Sequence, residues 1–387
     1  MKKNLWMLGA AVAALTSCTQ SEVVDIPESR LIGFEVHVDK QTRATSDIVD
    51  DDSETNGFKA FYVYAAKGKL EETDSENPNK FVFTADHGTG APYLRNEPVW
   101  GGKGHWEYDH KSWLANKVFR FAAYANGKGT KEDNNAMLTN SSEVEFVVDD
   151  SSSDSYTTTE GNIYNKWGLN FKNYEVGEKD LIVAIPDQKQ ISDLNAAPSS
   201  VGLTFKHILA KVIIQFRYTK PAGASDDVYL EIEPITFNAV KKADCAARFT
   251  GVEANTTIGA EWASTGTIGE YVFFPKKVYE ENQPERNQFW VSGNIQSDNY
   301  VIPQGNTNLK IDTIKIHTKN AQGETMNTRI YSNVSLKAGA ASSWKPGYVY
   351  RYAADVVPDQ HYIHFTTSVT SWIDDDTRNE TIKDGTN

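Results

Sequence analysis

The chain has 387 residues and is acidic, with 52 Asp and Glu against 39 Lys and Arg and a formal charge of −13. That balance argues against nucleic acid as a partner, because phosphate binding needs clustered Lys and Arg, and against adsorption to anionic lipid. Aromatic residues make up 11% of the chain and lie among many Thr and Val residues. These suit a pleated, half-buried surface, and helical spacing is hard to find after the first segment, so the sequence predicts an all-β protein.

In chain order, Lys2 and Lys3 precede an apolar run from Leu5 to Leu15, closed by Leu15-Thr16-Ser17-Cys18. A positive start, a short apolar core and small residues before a cut site predict a secretory signal over residues 1–17. The run is too short for a permanent membrane-spanning helix. A cysteine after Leu-Thr-Ser is the pattern of a bacterial lipobox, in which the thiol accepts a lipid as a thioether. An ordinary signal peptide that contains a cysteine is the alternative. With Cys18 acylated at the mature start, Cys245 is the remaining thiol, leaving no intrachain disulfide and no cysteine metal site. Cys245 reads as a small buried filler.

Residues 18–30 are a polar tether. From Leu31 to Asp39 the pattern alternates: Ile32, Phe34, Val36 and Val38 on one face, Gly33, Glu35 and His37 on the other. This predicts a strand with one buried face, followed by a solvated loop through Glu54. Phe58 to Ala65 is a second strand, with Phe61 and Val63 opposite Ala60, Tyr62 and Tyr64. Further strands are expected at 81–84, 118–124, 144–148 and 181–185. The stretch from Thr89 to Trp113 reads as a long loop in which Trp100, Trp106 and Trp113 plug a sheet edge, or form an aromatic sugar-binding platform. Asn195 to Ser200 is small, polar and proline-bearing, which predicts domains over 31–197 and 198–387. Beyond it Leu203 to Tyr218 reads as one long β run. Strands follow at 228–237, 271–274, 288–291, 309–317, 329–336 and 348–357, and the last spans His361 to Ile373, with Ile363, Phe365, Val369 and Ile373 on one face. Two β-sandwiches in tandem accommodate this set. The residues after Ile373 form a polar tail.

No catalytic or metal motif stands out. His207 lies between Lys206 and Ile208 with no partner at metal-ligand spacing and reads as a satisfied core histidine. His105, His110, His361 and His364 are scattered. Asp52 to Gly57 resembles a calcium loop only until its twelfth position, where Val63 replaces the required Glu. The glycines at 101–104 and 127–129 lack the spacing of a phosphate loop. The chain is therefore not expected to be an enzyme or to carry a cofactor or metal.

Several stretches together resemble the fimbrillin family, the lipoprotein pilins of type V pili. They are the lipobox at Cys18, the alternating strand followed by Thr42-Arg43-Ala44, and Phe58 to Tyr64. Leu203-Thr204-Phe205-Lys206-His207-Ile208-Leu209-Ala210-Lys211-Val212 resembles the family's junction segment. Trp344-Lys345-Pro346-Gly347-Tyr348-Val349-Tyr350 and Val369-Thr370-Ser371-Trp372 resemble its closing motifs. The resemblance implies two tandem transthyretin-like β-sandwich domains, location at the outer membrane and in a fimbrium, and assembly with other fimbrial subunits as a homo- or hetero-polymer. It further implies cleavage by an arginine-specific protease between Arg43 and Ala44. That cut removes the strand bearing Ile32, Phe34, Val36 and Val38, whose burial stabilises the domain by about 1.5–3 kcal/mol per side chain. A donor strand then fills the groove, and Ile363, Phe365, Val369 and Ile373 carry the alternation it needs. A non-polymerising adhesin or glycan-binding lipoprotein, meeting a host or bacterial surface ligand through the Trp100–Trp113 aromatics, is the competing reading.

Overall fold

The computed structural model describes residues 30–38, 59–74, 77–83, 93–102, 105–127, 143–148, 155–157, 163–165, 167–219, 228–248, 259–275, 288–290, 292–305, 309–320, 322–336, 343–356, 363, 365–371 and 380–382. The signal segment, Cys18, Arg43, Ala44 and Ile373 lie outside them, as does the side chain of Val38. Among the described residues the secondary structure is all β, apart from one short 3-10 turn at Leu194–Ala196.

The first sheet has nine strands. Its main path runs Gly33–Val38, Ser200–His207, Leu181–Ala184, Lys117–Asn126, Ala60–Asp74, Leu94–Gly102 and His105–Glu107. Gly33–Val38 occupies one edge and pairs in parallel with Ser200–His207. Three strands separate Gly33–Val38 from Ala60–Asp74 along this path, yet the Phe34 and Phe61 rings lie 5.7 Å apart. The sheet therefore coils around its own apolar contents.

Period-two alternation explains how this sheet serves two cores at once. Phe61, Val63, Phe119, Phe121, Ala123, Ile182, Ala184, Leu203 and Phe205 point into the coil. Tyr64, Ala122, Tyr124, Leu181, Val183 and Ile185 point out of its back. There they meet Leu169 and Phe171 of the strand Gly168–Glu175 and Trp167 just before it, and the Trp167 indole N–H donates to the Phe121 carbonyl at 3.1 Å. Gly168–Glu175 belongs to a second, five-stranded sheet with Ile235–Ala247 at its centre. A third sheet, Ser292–Val301, Ala210–Thr219, Tyr348–Val356, Phe365–Ser371 and Glu380–Ile382, and a fourth, built on the hairpin Leu309–Asn320 and Thr325–Leu336, complete the second core. That core runs without a break from Tyr64 to Val356.

Some expected elements take a different form. Leu203 to Tyr218 is two strands, Ser200–His207 and Ala210–Thr219, which belong to different sheets. The chain changes sheet at Ile208 and Leu209, both fully buried, so the apolar run is continuous although the strand is not. Within Thr89 to Trp113 the described residues include two strands, Leu94–Gly102 and His105–Glu107, whose polar residues lie on a partly exposed face. Strand pairing also crosses position 197/198: Ser200–His207 joins the first sheet, and Gly168–Glu175 pairs with Ile235–Ala247. Residues 380–382 of the polar tail pair with Thr367–Val369, so part of the tail caps that strand.

This continuity has a measurable consequence. Phe171 is fully buried, with ring contacts to Tyr124 at 5.7 Å and Tyr174 at 6.5 Å. Phe171→Ala is expected to cost about 3–5 kcal/mol and to lower one shared calorimetric transition. A separate later transition left unmoved by the substitution would contradict a continuous core.

Candidate functional site

The seat of the first strand is the site to which the sequence points. Parallel pairing runs from Gly33 opposite Ser200 to Val38 opposite Phe205. Ile32 is fully buried, Phe34 is 6% exposed, Val36 is half-buried, and Glu35 and His37 face solvent. Phe34 sits among three rings: Tyr108 at 5.2 Å, Phe61 at 5.7 Å and Phe121 at 6.4 Å. Edge-to-face and tilted arrangements of this kind add to the gain from burial alone. Beneath them Phe61 packs on Phe205 at 5.5 Å and on Trp106 at 5.1 Å.

A second set of contacts hooks the entry to the strand. The Ile32 N–H donates to Lys111 O at 2.8 Å, and the Trp113 N–H donates to Arg30 O at 2.7 Å. Leu31 and Ser112 form an antiparallel bridge. The Tyr108 hydroxyl, buried, donates to the Ile32 carbonyl at 2.7 Å. Burial raises the Tyr108 phenol above its ordinary pKa and holds it as a neutral donor. On the other side the Gly33 N–H donates to Ser199 O at 3.2 Å. The segment 30–33 is thus gripped from both sides, whereas residues 34–38 pair on one side alone among the described residues.

The Tyr108 hook falls in a stretch that reads as loop, and no local pattern marks it. Gly33 did carry a signal, since an isolated glycine inside an alternating strand marks close backbone approach. The three tryptophans divide: Trp113 is 1% exposed and packs on Phe119 at 5.0 Å, while Trp100 and Trp106 are half-buried. Trp113 is therefore a core residue and offers no stacking face to a sugar. His207 is buried with its Nδ1 against Asp180 Oδ2, a core pair as its position implied. Cys245 is buried and its thiol is pushed up by that burial, which leaves it inert. Among the described residues no group of three or more His, Cys, Asp or Glu could hold a metal ion.

At the far end of the chain, Phe365–Ser371 lies between Tyr348–Val356 and Glu380–Ile382, with Val369 opposite Tyr350. Phe365 packs on Phe216 at 5.7 Å, Val369 is half-buried, and Ile363 lies just outside the strand. This segment and the seat of the first strand belong to different sheets.

The two holds on the first strand can be weighed separately. Phe34→Ala should cost about 3–5 kcal/mol. Tyr108→Phe, which strips the buried Ile32 carbonyl of its donor, should cost about 1–3 kcal/mol. Exposed Glu35→Ala should stay within about 0.5 kcal/mol. Denaturant unfolding measures all three, and equal effects would remove the packing account of the seat.

No protein-family model and no curated protein matches the sequence. Solved structures do match. A fimbrial protein from Bacteroides vulgatus aligns at 17% identity over 89% of this chain and 99% of its own, with a TM-score of 0.50. Candidate cell-adhesion proteins from Bacteroides ovatus (13% identity, 90% of this chain and 99% of that one, TM-score 0.40) and Bacteroides uniformis (16%, 88% and 99%, 0.38) also align. At these identities the likeness concerns architecture, and over 89% of its length this chain shares the fold of the Bacteroides vulgatus fimbrial protein.

Proposed function

We propose that this chain is a structural subunit of a surface fimbria. It is exported as an outer-membrane lipoprotein through Cys18, matured by an arginine-specific protease between Arg43 and Ala44, and polymerised by donor-strand exchange. The observation that carries the reading is the first strand itself. It is an edge strand whose buried residues, Ile32 and Phe34, lie in an aromatic trough, and it leads directly into the segment that holds Arg43. Removing such a strand uncovers apolar surface and the open edge of Ser200–His207 together, and an incoming strand repairs both. The fold shared with a fimbrial protein, over nearly the full length of both chains, supports the same reading. Two tandem transthyretin-like units, adhesion as the biological role, and Ile363 to Ile373 as a donor segment belong to this proposal. The glycan-platform alternative loses support with Trp113 in the core.

Arg43→Gln should leave full-length, lipidated monomers in the outer membrane and abolish the ladder of polymers on gels. Cys18→Ser should abolish lipid labelling and surface display. An Arg43→Gln strain with undiminished polymer would overturn the processing step.

A further inference from the structure

We infer that the seat of the first strand is selective for an incoming strand with glycine between its first two buried side chains. We further infer that this chain's own segment Ile363 to Val369 is not the strand that fills the seat. The inference rests on the strand-exchange reading above and names the strand pattern that the seat accepts.

In strand addition the main chain supplies affinity and alternate side-chain pockets supply specificity. Here the pockets hold Ile32 and Phe34, and the backbone between them lies close against Ser199. A Cβ built on Gly33 would stand 2.6 Å from the Ser199 carbonyl oxygen, the same oxygen that accepts the Gly33 N–H at 3.2 Å. Gly33 is not among the residues with positive φ, so the demand is for space and not for an unusual conformation. The obstructing atom is backbone. Ser199 directly precedes Ser200, where the parallel register begins, so a retreat of Ser199 would disturb the ladder that the incoming strand needs. Glycine weakens a strand interior, so close approach is the physical reason for it here.

The segment from Ile363 through the strand Phe365–Ser371 repeats the apolar spacing of the first strand and fails at that one point. Aligned on Ile32, Phe34, Val36 and Val38, it offers Ile363, Phe365, Thr367 and Val369 at identical spacing. The two deep pockets would receive the same residue types, and Thr367 would fall on the half-buried Val36 position. His364, however, would replace Gly33. Sliding the strand does not help, because residues 348–384 contain no glycine. The apolar pattern alone would let this segment fill the seat of a second copy, and the backbone contact at Ser199 rejects it there.

The test uses the folded full chain nicked after Arg43, into which labelled peptides are exchanged and followed by fluorescence anisotropy. The peptide of residues 31–38 should enter. Its Gly33→Ala form should bind about tenfold or more weakly. The peptide of residues 362–370 should be comparably weak, and its His364→Gly form should recover at least about tenfold. In the intact chain, Gly33→Ala should lower Tm well beyond the exposed control Glu35→Ala. Equal binding of the Gly33→Ala and unsubstituted peptides, or unaided entry of the 362–370 peptide, would overturn the selectivity while leaving strand exchange standing. Failure of the unsubstituted 31–38 peptide to enter would overturn strand exchange itself. An unchanged Tm for Gly33→Ala would remove the steric seat independently of any exchange.

Discussion

The packing of Phe34 against Phe61, Tyr108 and Phe121 joins parts of the chain that are distant in sequence. It closes the coil of the first sheet, because it brings the edge strand against strands that are not its neighbours in the hydrogen-bonded order. A closed coil excludes water from the Ile32 site and lets the Tyr108 hydroxyl find the Ile32 carbonyl as its acceptor. Without the ring at position 34, the edge strand would keep its ladder to Ser200–His207 but lose most of its apolar hold. The inner core and the first strand are thus one structure.

The same sheet stabilises the rest of the molecule through its other face. Tyr64, Tyr124 and Val183 belong to a core that continues through Phe171 and Ile214 to Tyr352. Loss of the first strand would uncover only the inner cluster, since Ile32 and Phe34 contribute nothing to the outer one. Separating the two cores on opposite faces of shared strands allows one groove to open while the scaffold around it holds.

Gly33 is where fold and proposed role meet. Its missing side chain permits the close approach to Ser199, and that approach makes the groove a reader of backbone as well as of side chains. Apolar pockets discriminate modestly among Ile, Val and Phe. A backbone contact at van der Waals limit discriminates against every residue with a Cβ. A subunit that must choose its neighbour in a fibre gains more specificity from such a contact than from deeper pockets.

Alternation alone told which side chains share a face: Phe61 with Val63 and Tyr62 with Tyr64 were legible, because successive side chains in a strand point opposite ways. It could also mark Ile32 and Phe34 as buried and Gly33 as unusual. It could not say that both faces of the strand are covered from Ala60 to Ala66, nor that the apolar run through Ile208 and Leu209 changes sheet, because a doubly buried strand has no polar side to mark its ends. The partners of the first strand, Ser200–His207 in parallel and the Tyr108–Trp113 hook, were decided by tertiary structure alone. Strand pairing over such separations follows from how a whole sheet coils to bury its contents, and no local residue pattern encodes that closure.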